Sequence, residues 1–203
     1  MAAQQAHGAH QLSNKEKAAI DAAVKEAANN IKNAKASQEQ LVVVTGVMKN
    51  LQPRGLSLTK SHQWRGNYLV EPPKGMGESG AFVHEGAPSQ GNLPVVIVGS
   101  KAFVIYSPLD DALPALGWLL AWNKPAQNSE GINQVYVEAG DLGRLLNMKD
   151  SEIEEKLDAS HDVSRHWDSE TGAAAAARIE GVNGGRMALV GSTFNYLPNL
   201  PPQ

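Results

Sequence analysis

The chain has 203 residues and a formal charge of −3, from 18 basic and 21 acidic side chains. That length suits one domain burying roughly 70% of the surface its unfolded form exposes, and the charge excludes a nucleic-acid binder working by bulk charge. With 42% apolar and 19% charged residues and no cysteine, the composition is globular. Disulfides, zinc–thiolate sites, thiol nucleophiles and iron–sulfur clusters are ruled out.

Residues 1–12 are polar, lack an apolar stretch of signal-peptide length, and read as a flexible leader. No run approaches the roughly 18 apolar residues of a spanning helix, so a cytoplasmic protein is expected. Ser13-Asn14-Lys15-Glu16 then forms a capping-box pattern. Behind it Ile20, Val24, Ala27/Ala28 and Ile31 recur at helical spacing, which predicts an amphipathic helix within 13–36. Its apolar stripe is rich in alanine. Such a helix either docks on the main domain or detaches to lie on a membrane, although the second use favours bulkier apolar residues and a more basic face.

From Leu41 the period changes to extended. Leu41–Thr45, Ser57–Thr59, Ala81–His84, Val95–Val98, Ala102–Tyr106, Trp118–Trp122, Gln134–Val137, Ala174–Ile179 and Met187–Val190 are short, β-rich and separated by Gly, Pro and Asn clusters. This pattern predicts a mainly β fold, an antiparallel β-sandwich over 40–196. Asn183-Gly184 marks a hairpin turn, because a type I′ turn needs positive φ at both centres. The run Ala173–Ala177 favours helix by propensity, but Gly172, Gly181 and the hairpin partner that follows argue for strand. One short helix is expected near 150–159, capped by Asp150 or Ser151, with Ile153 and Leu157 in one row. Residues 197–203, with three prolines, read as an extended tail.

Chemical motifs are sparse. Gly75-x-Gly77-x-x-Gly80 matches the dinucleotide fingerprint, yet Glu71-Pro72-Pro73-Lys74 precedes it instead of a strand, and Ala81–His84 reads as strand where a helix should follow. His84 and Glu85 are adjacent on a strand, so they face opposite sides and cannot share an ion. His161 and His166 lack a third ligand nearby. Ser61, Ser79 and Ser192 lie in no nucleophile pattern, and Asp110-Asp111 reads as a solvated turn. No acid–base pair emerges. The expectation is a binding protein, not an enzyme, with no cofactor and no metal.

The aromatic residues carry more. Trp118, Leu120 and Trp122 alternate and share one face of a strand, either as sandwich core or as a platform for sugar or lipid headgroups. Trp64-Arg65-Gly66-Asn67-Tyr68 places two aromatics beside a guanidinium on an expected loop. Such a cluster binds phosphate or a quaternary ammonium; alternatively Trp64 plugs the end of the sandwich. The candidate ligand-binding residues are therefore Trp64, Arg65, Tyr68, Trp118 and Trp122.

An ordered set of segments extends this. His62-Gln63-Trp64-Arg65-Gly66 precedes a Pro-Pro loop, then Gly80-Ala81-Phe82-Val83-His84, Gly117–Pro125 and Val135-Tyr136-Val137-Glu138. Over roughly 40–180 their order and spacing resemble the small jasmonate-induced proteins of plants, whose β-core is similar to aegerolysin and actinoporin-like sandwiches. The resemblance implies a stress or defence protein that binds membrane lipid of a target cell, with a helix before the sandwich that can leave it. It further implies insecticidal or pore-forming action, with Trp64, Arg65, Tyr68 and the 71–80 loop forming one headgroup-facing end. The alternatives are a lectin that binds a glycan and a ligand-free stress or storage protein. No nucleic-acid partner is expected, and a homo-oligomer stays open.

Overall fold

The computed structural model describes residues 13–33, 42–86, 98–110, 115–126, 131–182 and 185–198. Helix α1 (Asn14–Asn33) leads into β1 (Val42–Asn50), β2 (Leu56–Arg65), β3 (Asn67–Val70), β4 (Gly75–Met76), β5 (Ser79–Gly86), β6 (Ser100–Pro108), β7 (Leu116–Lys124) and β8 (Gln134–Asp141). Then come α2 (Leu142–Asn147), α3 (Asp150–Asp158), β9 (Val163–Trp167), β10 (Ala173–Val182) and β11 (Met187–Tyr196). The strands form two stacked sheets, ordered β3-β5-β1-β11-β10-β9 and β4-β2-β6-β7-β8. The fold is thus the mainly β sandwich with a leading helix that the sequence predicts. One pairing departs from the antiparallel expectation: β1 runs parallel to β11, Val44 opposite Ala188. Strand periodicity shows which face a residue takes but not which distant strand lies beside it, so a pairing of the first strand with the last is invisible in sequence.

Alternation decides what fills the sandwich. Trp118, Leu120 and Trp122 of β7 meet Val44, Met48, Phe82 and Phe194 in one buried cluster. The alanine run is indeed strand. Ala173, Ala175 and Ala177 point into the same cluster, and small side chains on β10 leave volume for the two indoles contributed by β7.

Helix α1 lies on the outer face of the first sheet. Its N-terminus carries the expected capping box: Glu16 N–H donates to Ser13 Oγ at 3.2 Å, and Ser13 N–H donates to Glu16 Oε2 at 2.9 Å. Ile20, Ala23, Val24 and Ala27 pack on Val47, Ala176 and Leu189. The helix sits so close that a Cβ on Gly191 would fall 2.7 Å from Val24 Cγ2 and 2.8 Å from the Ile20 carbonyl oxygen. Ion pairs Glu16–Arg165, Asp21–Arg178 and Glu26–Lys49 reach from the helix to β9, β10 and β1.

The outer face of the second sheet is covered by α2 and α3. Phe103, Ile105, Leu119 and Ala121 pack there on Leu145, Ile153 and Leu157, so the predicted Ile153–Leu157 row is buried. The expected Asp150 or Ser151 cap is corrected. The helix starts from Lys149 with no side-chain cap bond, and Asp150 pairs with Lys60 at 2.7 Å instead. Helix α2 went unpredicted because it is only six residues long; Asp141 caps it by accepting from Arg144 N–H at 2.7 Å.

The two sides of the sandwich differ. On one, the edge strand β8 gives its amides to residues in and beside β9: Val135 N–H to His161 O (2.9 Å), Val137 N–H to Ser164 Oγ (3.1 Å) and Ala139 N–H to His166 Nδ1 (3.2 Å). On the other, β4 pairs with β2 only at Leu56 and Ser57, and β3 is the edge of its sheet. No helix among the described residues is long and apolar enough to cross a membrane. The expected leader 1–12, the end of the first helix at 34–36, Leu41, Val95–Ile97, the Asn183-Gly184 turn and residues 199–203 lie outside the described residues.

Candidate functional site

The segment Trp64–Tyr68 is not the loop that the sequence suggests. It is the arch by which the chain leaves the second sheet at the end of β2 and enters the first as β3. Gly66 makes the crossing at φ 90°. A Cβ there would lie 2.7 Å from His84 Cε1 and closer still to the Glu85 carbonyl oxygen, so only glycine fits.

Because neighbouring strand residues face opposite ways, Trp64 and Arg65 part company. Trp64 is half-buried on the outer face, 5.3 Å from the Phe103 ring and 5.3 Å from His62. Its cation is Lys101, whose Nζ lies 5.7 Å from the indole centroid and pairs with Glu154 and Asp158, both at 2.7 Å. Arg65 is exposed, and its guanidinium has no ion pair among the described residues. Two residues past Gly66, Tyr68 turns its ring inward against His84 (4.8 Å), Trp122 (6.3 Å) and Phe82 (6.5 Å). Its hydroxyl is buried without a hydrogen-bond partner among the described residues. Burial, then the neighbouring Tyr106 and Glu71, raises its pKa well above the usual phenol value.

A short polar chain runs beneath the arch. Gln63 Oε1 only accepts, so His84 Nε2 donates to it at 3.1 Å. Nδ1 then accepts from the Ser100 hydroxyl at 2.8 Å, and Ser100 Oγ accepts Trp122 Nε1–H at 3.1 Å. His84 is wholly buried, and burial lowers its pKa to about 4.

The five candidates therefore do not converge. Trp118 and Trp122 have no exposed surface, and Trp118 Nε1–H donates to Asn195 O at 3.0 Å. Both are core, which corrects the platform reading: the inward phase of β7 faces the other sheet, not solvent. Nor do Trp64 and the 71–80 loop share an end. Arg65 pairs with Lys101, while Ser57, eight residues earlier in β2, pairs with Gly75. Strand rise puts the two sites roughly 25 Å apart. On the side of the sandwich where β3 is the last strand among the described residues, Arg65, Gln63 and Asn67 are exposed, and Leu69 and Val70 are about half exposed at 48% and 52%.

Elsewhere, a cleft of about 580 Å³ opens at the opposite end of β1, between Ala19 and Ala22 of α1 and Asn50, Gln52 and Glu78. Asn50 is fully engaged there, its amide donating to Arg54 O and Gly77 O and its oxygen accepting from Gln52 N–H. Among the described residues no group of three His, Asp or Glu side chains is placed to hold a metal ion. The Gly75–Gly80 stretch is β4 and the start of β5, with no helix after it. Of the residues that build the arch, His84 and Gln63 lie inside segments that the sequence singled out. Lys101, Leu69 and Val70 carried no signal, since their roles depend on which strands become neighbours.

No family model matches the chain, and no curated protein matches it. A solved crystal structure does. The lipid binding protein Nakanori is similar to this chain over 86% of its length and 79% of the other's, with a TM-score of 0.64 and 20% identity. The likeness shows a shared fold.

Proposed function

We propose that this protein binds lipid membranes through the β3 side of its sandwich, acting by binding without chemistry. The carrying observation is the surface beside the arch, where Arg65, without an ion pair among the described residues, precedes by four and five positions half-exposed Leu69 and Val70 on β3, the edge strand among the described residues. A cation beside exposed apolar side chains suits an interface where phosphate meets acyl chain. The shared fold with a lipid-binding protein supports the same reading.

The resemblance to jasmonate-induced proteins extends the proposal to plant defence. In that setting α1, held by the apolar contact of Ile20, Ala23, Val24 and Ala27 with the sheet, by its close approach to Gly191 and by three ion pairs, would be the segment that leaves the sandwich to form a pore.

The test is flotation with phosphatidylcholine vesicles, with and without phosphatidylserine. Arg65→Glu with Leu69→Asp should weaken binding about 10-fold or more while thermal unfolding stays unchanged. Absence of wild-type binding at micromolar protein would overturn the proposal. Saturable sugar competition with no lipid dependence would make the protein a lectin instead.

A further inference from the structure

Two histidines hold the two sheets together, one on each side. His84, on β5 of the first sheet, spans to Gln63 and Ser100 on β2 and β6 of the second. His166, on β9 of the first sheet, spans to the backbone of Ala139 on β8 of the second. We propose that His84 and His166 are acid-sensitive clasps whose protonation loosens the contact between the two sheets at each side of the sandwich.

The geometry requires both rings to be neutral. A backbone N–H can only donate, so His166 Nδ1 must carry a lone pair toward Ala139. Protonation there sets N–H against N–H and orphans a strand amide. At His84 the ring already donates to Gln63 and accepts from Ser100. A second proton would place two donors, from His84 and Trp122, on Ser100 Oγ. The displaced serine proton would then need an acceptor in a fully buried site.

Burial opposes the charged form of both rings. Packed against His84 among the described residues are Tyr68, Trp122 and the Gln63–Ser100 pair, and Tyr68 is the one titratable group among these. Glu85 takes the opposite face of β5, and Arg65, beyond Gln63, adds positive charge. His166 faces a mixed field. Burial lowers its pKa, Glu138 and Asp168 raise it, and Arg144 and Lys156 lower it. The Trp118–Asn195 and Ser164–Val137 bonds do not titrate and keep the sheets in register, so the expected acid state is loosened, not unfolded. This inference stands whether or not the membrane reading holds.

The experiment follows near-UV circular dichroism, far-UV circular dichroism and amide exchange of the purified protein from about pH 7.5 to about pH 4. The near-UV signal should fade reversibly below about pH 6, and Ala139 amide protection should fall about 10-fold, with the far-UV signal retained. His84→Gln with His166→Gln reproduces both neutral hydrogen-bond patterns without a titrating ring. That double variant should keep its near-UV signal down to about pH 4. A wild type unchanged at pH 4, or a double variant that loosens at the same pH as wild type, overturns the proposal. Should the variant fail to fold, NMR titration of the wild-type ring nitrogens decides. Neutral rings whose protonation coincides with loss of Ala139 protection support the clasps; a ring that protonates without that loss refutes them.

Discussion

Glu16 joins two structures at once through Arg165: the carboxylate that closes the capping box of α1 also accepts Arg165 Nε from the edge strand β9, at 3.2 and 3.1 Å. Glu16 is 2% exposed, so removing its partner leaves a buried charge. Arg165→Ala should destabilise the docked helix by about 2–4 kcal/mol, read as faster amide exchange through α1 with the sandwich strands protected as before. Equal loss of protection in strands and helix would show that α1 and the sandwich unfold as one unit.

Gly66→Ala tests the arch. Positive φ and the approach to His84 and Glu85 together predict a loss of about 2–4 kcal/mol in chemical denaturation. An exposed neighbour such as Asn67→Ala should stay within about 0.5 kcal/mol. Unchanged stability of Gly66→Ala would contradict the crossing geometry.

Trp122→Phe separates packing from recognition. Trp122 stacks on Phe82 at 4.4 Å and satisfies Ser100, so the change should cost about 1–3 kcal/mol. Vesicle binding per folded molecule should not move, since the indole has no exposed surface. Lost binding by a fully folded variant would make Trp122 part of the site.

Glu138 sets an acid limit of its own. Burial pushes its pKa up, but hydrogen bonds from Tyr136 and Arg144 and the charges of Lys156 and Arg144 outweigh that and hold it down at about 2. A depressed carboxylate contributes stability that is present above its unfolded value and is lost as pH falls through the folded one. The window runs from about pH 4.5 to about pH 2. The contribution at neutral pH is about 3 kcal/mol. Glu138→Gln should therefore lower stability at pH 7 by that order and flatten its pH dependence below about pH 4.5. An unchanged acid-unfolding curve would remove Glu138 from the balance.

Local signals survived translation into structure. Ser13 and Glu16 lie three residues apart, so their capping box was legible, as were the alternation of Trp118, Leu120 and Trp122 and the Ile153–Leu157 row. The aromatic cluster was legible only as composition. Trp64 and Arg65 adjoin in sequence and separate in space, because a strand turns neighbours to opposite faces.

The sequence alone determined the helix, the strand-forming segments and the apolar face of each, because those follow from periodicities of a few residues. Tertiary structure alone decided that β1 lies parallel to β11, that Lys101 and not Arg65 covers Trp64, and that His84 and His166 bridge the sheets. Each of those contacts joins residues brought together only by the pairing and stacking of strands. The burial that selects the pairing belongs to the whole sandwich and to no single segment.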